Sequence, residues 1–282
     1  MRRPAIETRT QEDRHWWFAS RTRALLGLLD DACVDRARAT GVDMSWGDLR
    51  VLDVGCGAGN MVHHLQRYGR VVGVDSFNRP LGVAQGRGYA VGQATGEALP
   101  FPDRSFDLVA VLDVVEHCDD DARVLRECGR VLTDGGLLAL TTPAFPWLWS
   151  DNDAINGHRR RYSVAELSGV LRAAGFQIRR LTCNNFFVFP LAAGLIVLRN
   201  LRGQRLRLAA PATDADAYQV EMQPAHPVAN TVLGTVGVAE AALLRHVTLP
   251  IGTGLIAIAQ KGRPSLISAQ RGEKPAAAAR EC

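Results

Sequence analysis

The sequence predicts an α/β protein built on a doubly wound, Rossmann-like sheet. Three observations carry this. A glycine-rich turn directly follows a short apolar run, Val51-Leu-Asp-Val-Gly-Cys-Gly-Ala-Gly-Asn60. A second apolar run, Arg70-Val-Val-Gly-Val-Asp75, ends in an acid about twenty residues after those glycines. Apolar runs and amphipathic segments then alternate as far as Thr182, the pattern of strands joined by crossover helices.

Val51, Leu52 and Val54 form the first strand, continuous in apolar residues as strands buried on both faces are. Gly55, Gly57 and Gly59 allow a tight turn and close approach of backbone to a ligand. A helix beginning near Asn60 would turn free amides toward that ligand. Asp75 stands where a carboxylate can take the two hydroxyls of a ribose, so the ligand carries a nucleoside. The spacing is G-x-G-x-G, not the G-x-G-x-x-G of a pyrophosphate cradle, and Asp53 lies two residues before Gly55. A carboxylate there repels a pyrophosphate and suits a cofactor bearing an ammonium and a sulfonium.

With 282 residues, 22% of them charged and 47% hydrophobic, the chain can hold one large α/β domain with additions or two small domains. A net charge of +4 does not by itself argue for nucleic acid as a partner. Six cysteines without a C-x-x-C pair fit neither a zinc knuckle nor a disulfide framework and suit a reducing compartment. The start lacks the apolar core of a signal peptide, and no run reaches the roughly eighteen apolar residues of a spanning helix. The expected location is cytoplasmic, with contact at a membrane surface left open.

Residues 1–47 precede the sheet, and His15-Trp-Trp-Phe18 opens a helix there. Neighbours on a helix point about 100° apart, so Trp16, Trp17 and Phe18 cannot all face one core. The segment either packs on the sheet or forms a helical lid over the site. A glycine-rich segment near 78–88 and a short strand near 89–92 come next. Phe106 to Asp113 forms another buried strand ending in an acid, and Asp119 to Asp121 cap a helix with Arg123 and Glu127 spaced to pair. Asp134-Gly-Gly136 reads as a turn before the strand Leu137–Thr142. Residues 143–162 read as a long irregular loop, too aromatic to be disordered and therefore an active-site loop. Ser163-Val-Ala-Glu166 is a capping box opening a helix, and a strand spans 176–182. Residues 262–282, rich in Ala, Pro and charge, read as a disordered tail.

The block Val-Leu-Asp-Val-Gly-Cys-Gly-Ala-Gly closely resembles the first motif of class I S-adenosylmethionine-dependent methyltransferases. The resemblance extends over residues 50–182 through the acidic strand end, Leu99-Pro-Phe101, Phe106-Asp107, Glu116-His117 and Gly135-Gly136. It implies a seven-stranded methyltransferase sheet with an antiparallel last strand, Gly254–Gln260, and S-adenosyl-L-methionine as cofactor, leaving as S-adenosyl-L-homocysteine. It implies cofactor contacts from Asp53, Gly55, Cys56, Gly57, Gly59, Asp75, Ser76, Thr95, Glu97, Leu112 and Asp113. An aspartate is common in the family where Thr95 stands, so Thr95 or Glu97 takes the adenine side. The core is then 48–183, the final strand lies within 251–261, and 184–250 becomes an apolar helical insertion between the last two strands. That insertion packs on the protein, forms a homodimer contact, lines an acceptor channel or meets a membrane, with Arg199, Arg202, Arg205 and Arg207 facing anionic headgroups. His15-Trp-Trp-Phe18, Leu148-Trp-Ser-Asp-Asn-Asp153 and His158-Arg-Arg-Arg-Tyr162 look like a bacterial type 11/12 subgroup linked to envelope or natural-product pathways.

Methyl transfer is an in-line displacement in which the protein positions the nucleophile and excludes water. For an oxygen or nitrogen acceptor a general base helps, and His158 is the first candidate, with Asp113 beside it and Arg160, Arg161 and Tyr162 holding a polar or anionic acceptor. Asp113, Glu116, His117 and His158 also form a pattern similar to the divalent-ion site of ubiquinone-pathway and small-RNA methyltransferases, though many relatives with the Glu-His pair bind no metal. The expected acceptor is a small molecule or a lipid- or sugar-linked one; nucleic acid is not expected. An NAD(P)-dependent oxidoreductase and a non-catalytic cofactor-binding regulator are the competing readings.

Overall fold

The computed structural model describes residues 11–40, 47–201 and 226–262. In chain order its strands are β1 (Leu49–Val54), β2 (Gly69–Asp75), β3 (Val91–Gln93), β4 (Phe106–Leu112), β5 (Leu132–Pro143), β6 (Phe176–Asn184) and β7 (Gly254–Lys261). The helices are α1 (Gln11–Arg14), α2 (Trp16–Thr40), α3 (Val62–Leu65), α4 (Asn78–Gly86), α5 (Asp121–Val131), α6 (Asp151–Ile155), α7 (Val164–Ala173), α8 (Phe189–Leu201) and α9 (Pro227–Leu244). The sheet order is β3-β2-β1-β4-β5-β7-β6. The first five strands are parallel, and β7 lies antiparallel between β5 and β6, placing Ile258 opposite both Ala139 and Arg180.

Two helical layers cover the sheet because the strands are apolar on both faces. On one face α5 contributes Val124, Leu125, Cys128 and Val131, and α7 contributes Leu167 and Leu171. On the other, α2 contributes Leu25, Leu28 and Leu29, α3 contributes Val62 and Leu65, and α9 contributes Ala241 and Leu244. Caps start the helices where the sequence places them. Asp120 accepts from the Arg123 amide at 2.8 Å, and Ser163 and Glu166 close a reciprocal box at the start of α7.

Several elements differ from the sequence reading. The helix expected near Asn60 is a single turn starting at Val62, so it presents no extended N-terminus to a ligand. The short strand lies at 91–93 instead of 89–92. β5 begins at Leu132: Leu132 pairs with Phe106, the next register pair is Leu137 with Leu108, and Asp134-Gly-Gly136 bulges between them. Arg123 and Glu127 do not pair; Glu127 binds Arg130 at 2.8 Å and the Leu99 amide at 2.9 Å, while Arg123 reaches the Glu97 carbonyl. The loop at 143–162 is largely ordered, with a 3-10 turn at Pro146–Leu148 and α6 capped by Ser150 and Asp153. Arg202, Arg205, Arg207 and the tail from 263 lie outside the described residues.

α2 packs along α9, and one contact sets how closely. A Cβ on Gly237 would stand 1.8 Å from Ser20 Oγ and 2.5 Å from its Cβ, whereas Gly234 faces open space. Gly237→Ala should therefore destabilise by about 1–3 kcal/mol through overpacking. Gly234→Ala should stabilise by about 0.5–1 kcal/mol through helix propensity. Thermal melting of the two variants checks this, and equal shifts would contradict the α2–α9 seam.

Candidate active site

The carboxyl ends of β1, β2, β4 and β5 gather the acids noted in the sequence, as doubly wound sheets do at their binding edge. Asp53 is 2% exposed, and its Oδ2 has no hydrogen-bond partner among the described residues. Burial and then the charge of Asp75 push its carboxyl up to about 7. Asp75 accepts from the Gly57 amide through Oδ2 and from the Phe77 amide through Oδ1, both at 2.9 Å. Those bonds fix the carboxylate and leave each oxygen a second lone pair. Gly55 has φ +72°, and a Cβ there would lie 2.3 Å from Val114 Cγ2, so only glycine fits the turn.

The amides of the turn itself are taken up within the protein. Gly55 and Cys56 donate to the Val74 carbonyl at 2.7 and 3.0 Å, and Gly57 donates to Asp75. Cys56 is buried against Gly73, whose own Cβ would sit 2.7 Å from its Sγ. Gly59 lies at the end of the turn with φ +79°. Leu112 and Glu97 are half-buried along the edge, Ser76 is exposed with its carbonyl held by Gln93, and Thr95 is exposed in a turn closed onto Ala98.

Asp113 follows β4 with φ +54°, a left-handed conformation uncommon for a residue with a side chain. Its Oδ1 accepts from Thr141 Oγ1 at 2.8 Å, and its Oδ2 is paired with Arg21 of α2. That pairing corrects the placing of Asp113 among the bases, because both its oxygens are already engaged by Arg21 and Thr141. Glu116 is fully buried, accepts from Thr142 Oγ1 at 3.1 Å and leaves Oε1 without a partner. Burial raises its carboxyl to about 7, against the opposing charges of Arg21 and Arg161.

His158 is held at Nδ1 by Asp153 Oδ1 at 2.8 Å, and its ring stands edge-on to His117 with centroids 4.8 Å apart. Asp153 is 1% exposed. Burial alone would raise its carboxyl, but bonds from His158, Arg161 and the Ser150 amide outweigh that and hold it at about 2. Ligating atoms of Glu116, His117 and His158 lie within 4.8 Å of one another, while Asp113, the fourth residue of the sequence's metal pattern, stands outside this group.

The basic loop is committed to the protein itself, which corrects its assignment to the acceptor. Arg161 donates to Asp153 and the Ala144 carbonyl, Arg160 to the carbonyls of Cys118 and Asp119, and Arg159 to the His117 carbonyl. Tyr162 is 4% exposed and gives its hydroxyl proton to Asp121 at 2.5 Å, so it does not face a substrate. Two residues escaped the sequence reading. Arg21 sits one helical turn after Trp17 on α2, and Asp153 stands three residues after a capping serine, Ser150. The capping box was a legible signal for Asp153; no local pattern marked Arg21.

A methyltransferase-domain family model matches residues 52–140, spanning the glycine turn, the acidic ends of β2 and β4 and most of β5. Over those residues the chain is similar to class I methyltransferases. It is 34% identical over 135 residues to a probable S-adenosylmethionine-dependent methyltransferase of Mycolicibacterium smegmatis, covering 45% of this chain and 52% of that protein. It is 37% identical over 131 residues to a Mycobacterium tuberculosis protein of the same description, covering 45% and 48%. It is 32% identical over 122 residues to the ubiquinone biosynthesis O-methyltransferase of Rhizobium etli, covering 41% and 49%. The chain thus spans about half the length of these curated relatives.

The residues of the methyltransferase domain fit the cofactor of such domains. The buried Asp53 oxygen lacks a donor that an ammonium would supply, and Asp75 is preset for a diol. Asp53 and Glu116 both sit above their ordinary values of 3.8 and 4.5. Their contribution to stability is complete below about pH 4 and is lost as pH rises through about 7. The melting temperature of the ligand-free protein should therefore fall between about pH 4 and pH 7, and Asp53→Asn should flatten that fall. A profile unchanged in Asp53→Asn would remove Asp53 from this role.

Proposed function

We propose that the protein methylates an oxygen or nitrogen of a small-molecule or lipid- or sugar-linked acceptor at the rim beside His158. The observation that carries this reading is the buried Asp153 holding His158 Nδ1 at the edge where the acidic strand ends converge. S-adenosylmethionine, when bound, supplies a methyl carbon activated by its sulfonium. Asp53 and Asp75 bind its ammonium and ribose ends, and Gly55 keeps the turn low enough for that approach. Asp153 fixes the His158 ring with Nδ1 protonated, leaving Nε2 to take the acceptor's proton. Arg21, paired with Asp113, brings α2 over the edge and limits water there.

The apolar insertion supports a lipid-linked acceptor. Trp147, Phe187, Leu191 and Leu195 are exposed around α8, which packs through Phe189 and Ala193 on Leu148 of the same loop that leads to His158. α9 is long and apolar enough to cross a membrane by length and composition, with only 17% of it buried. Four arginines with no acid between them, Arg199 to Arg207, run in sequence from the last turn of α8 onward and suit an anionic bilayer surface. We place the protein in the cytoplasm at such a surface. The O-methyltransferase name of one relative favours an oxygen acceptor.

The test incubates purified protein with S-adenosylmethionine carrying a labelled methyl group and an extract of the source organism, then separates organic and aqueous phases. Label in the organic phase supports the lipid-linked reading, and label in water alone makes the insertion structural. No label despite cofactor binding would favour a regulatory role. With an acceptor in hand, His158→Gln should lower kcat by about 10²–10⁴-fold while S-adenosylhomocysteine binding is kept. A chelator that abolishes turnover would instead favour a metal at Glu116, His117 and His158.

A further inference from the structure

On the far side of the glycine turn, α1 meets α3 through three side chains. His63 Nε2 lies 3.2 Å from Asp13 Oδ2, and His64 Nε2 lies 2.7 Å from Asp13 Oδ1. The three side chains are only 15–25% exposed. Consecutive residues of a regular helix point about 100° apart. Here the His63 and His64 rings stand 3.8 Å apart between centroids and converge on one carboxylate, which the single turn of α3 permits. His63 Nδ1 is buried and makes no hydrogen bond among the described residues, so its tautomer there is set from the Nε2 side.

Two imidazoles and a carboxylate with ligating atoms within 4.8 Å of one another form a donor set for a borderline divalent ion. The set is too rich in nitrogen for Mg²⁺ or Ca²⁺. It opens onto a cavity of about 770 Å³ whose wall includes Thr22, Arg23 and Arg67, with room for the remaining ligands. Arg67 is paired with Asp30, and Arg23 offers a counter-charge to an anionic fourth ligand. We propose that Asp13, His63 and His64 bind one ion of the Zn²⁺, Co²⁺ or Ni²⁺ class, which fastens the N-terminal helices to the turn beneath the glycine motif. The ion replaces the two Nε2 protons, which move to Nδ1, so both imidazoles stay neutral as ligands require. It anchors α1 immediately before Trp16, Trp17 and Phe18 and therefore bears on how the start of α2 sits. The site is separate from the Glu116, His117 and His158 group and does not rest on the methyl-transfer reading.

The experiment strips the full-length, untagged protein with a chelator and titrates it with Co²⁺, following visible absorption and tryptophan fluorescence. One equivalent should bind with bands that Zn²⁺ displaces. Asp13→Asn and His64→Gln should each weaken binding by more than the roughly tenfold that losing a supporting partner costs. Zn²⁺ at about a hundred times its Kd should raise the melting temperature of the parent by about 5 °C or more and leave His64→Gln unmoved. Should His64→Gln fail to fold, Asp13→Asn, isosteric and on a one-turn helix, decides alone. Absence of a saturable equivalent in the parent overturns the proposal. So does a band that survives Asp13→Asn but disappears in a His117→Gln/His158→Gln double variant.

Discussion

Carboxylates crowd the binding edge of the sheet, and most of the loop structure around it serves to supply them with donors. Asp53, Asp75, Glu116 and Asp153 are all buried, and each must be bonded, protonated or left waiting for a cation. Asp75 is met by backbone amides, Asp153 by His158, Arg161 and an amide, and Asp113 nearby by Arg21 and Thr141. Asp53 and Glu116 each keep an oxygen without a donor. The unmet oxygen at Asp53, beside the glycine turn, marks where a cationic ligand would improve on the ligand-free state.

The same constraint explains the basic loop. A run of arginines before a helix invites a reading as a phosphate or carboxylate clamp. Here Arg159 and Arg160 tie down the carbonyls of His117, Cys118 and Asp119, and Arg161 bonds Asp153 and the Ala144 carbonyl. These bonds hold the segment after β4 against the segment after β5, so His117 and His158 meet across the gap. The arginines thus position the site through the backbone and Asp153. A lysine in their place would lose the planar fork that reaches two acceptors at once.

The strand–turn–strand core was legible because local pattern and burial agree there. Val51, Leu52 and Val54 are buried as their run implies, and Gly55 is needed for the conformation that its motif implies. The antiparallel β7 entered through family resemblance, since nothing local in Gly254–Gln260 states its direction. The site was less legible, because partner choice depends on loops whose meeting is a tertiary event. Arg123 and Glu127 have helical spacing for a pair, yet Glu127 has a better partner in Arg130, which also gathers the carbonyls of Leu99 and Phe101. Tyr162 could be read as substrate-facing only until Asp121 was seen to take its hydroxyl.

The insertion shows how one buried charge can decide between two uses of an apolar helix. α9 is apolar around its circumference, as expected of a helix with apolar surroundings on every side. Its inner face packs Ala241 and Leu244 into the core, and its outer face exposes Val228, Val232 and Val238. Its single acid, Glu240, is 5% exposed and accepts from the amides of Asn185 and Phe187, where the chain leaves β6. Drawing α9 off the protein and into a bilayer would strand that carboxylate and both amides at once, a cost that apolar burial of its outer face does not avoid. The arrangement therefore favours a helix that stays docked and offers its outer face to a surface, over one that leaves the fold to span it.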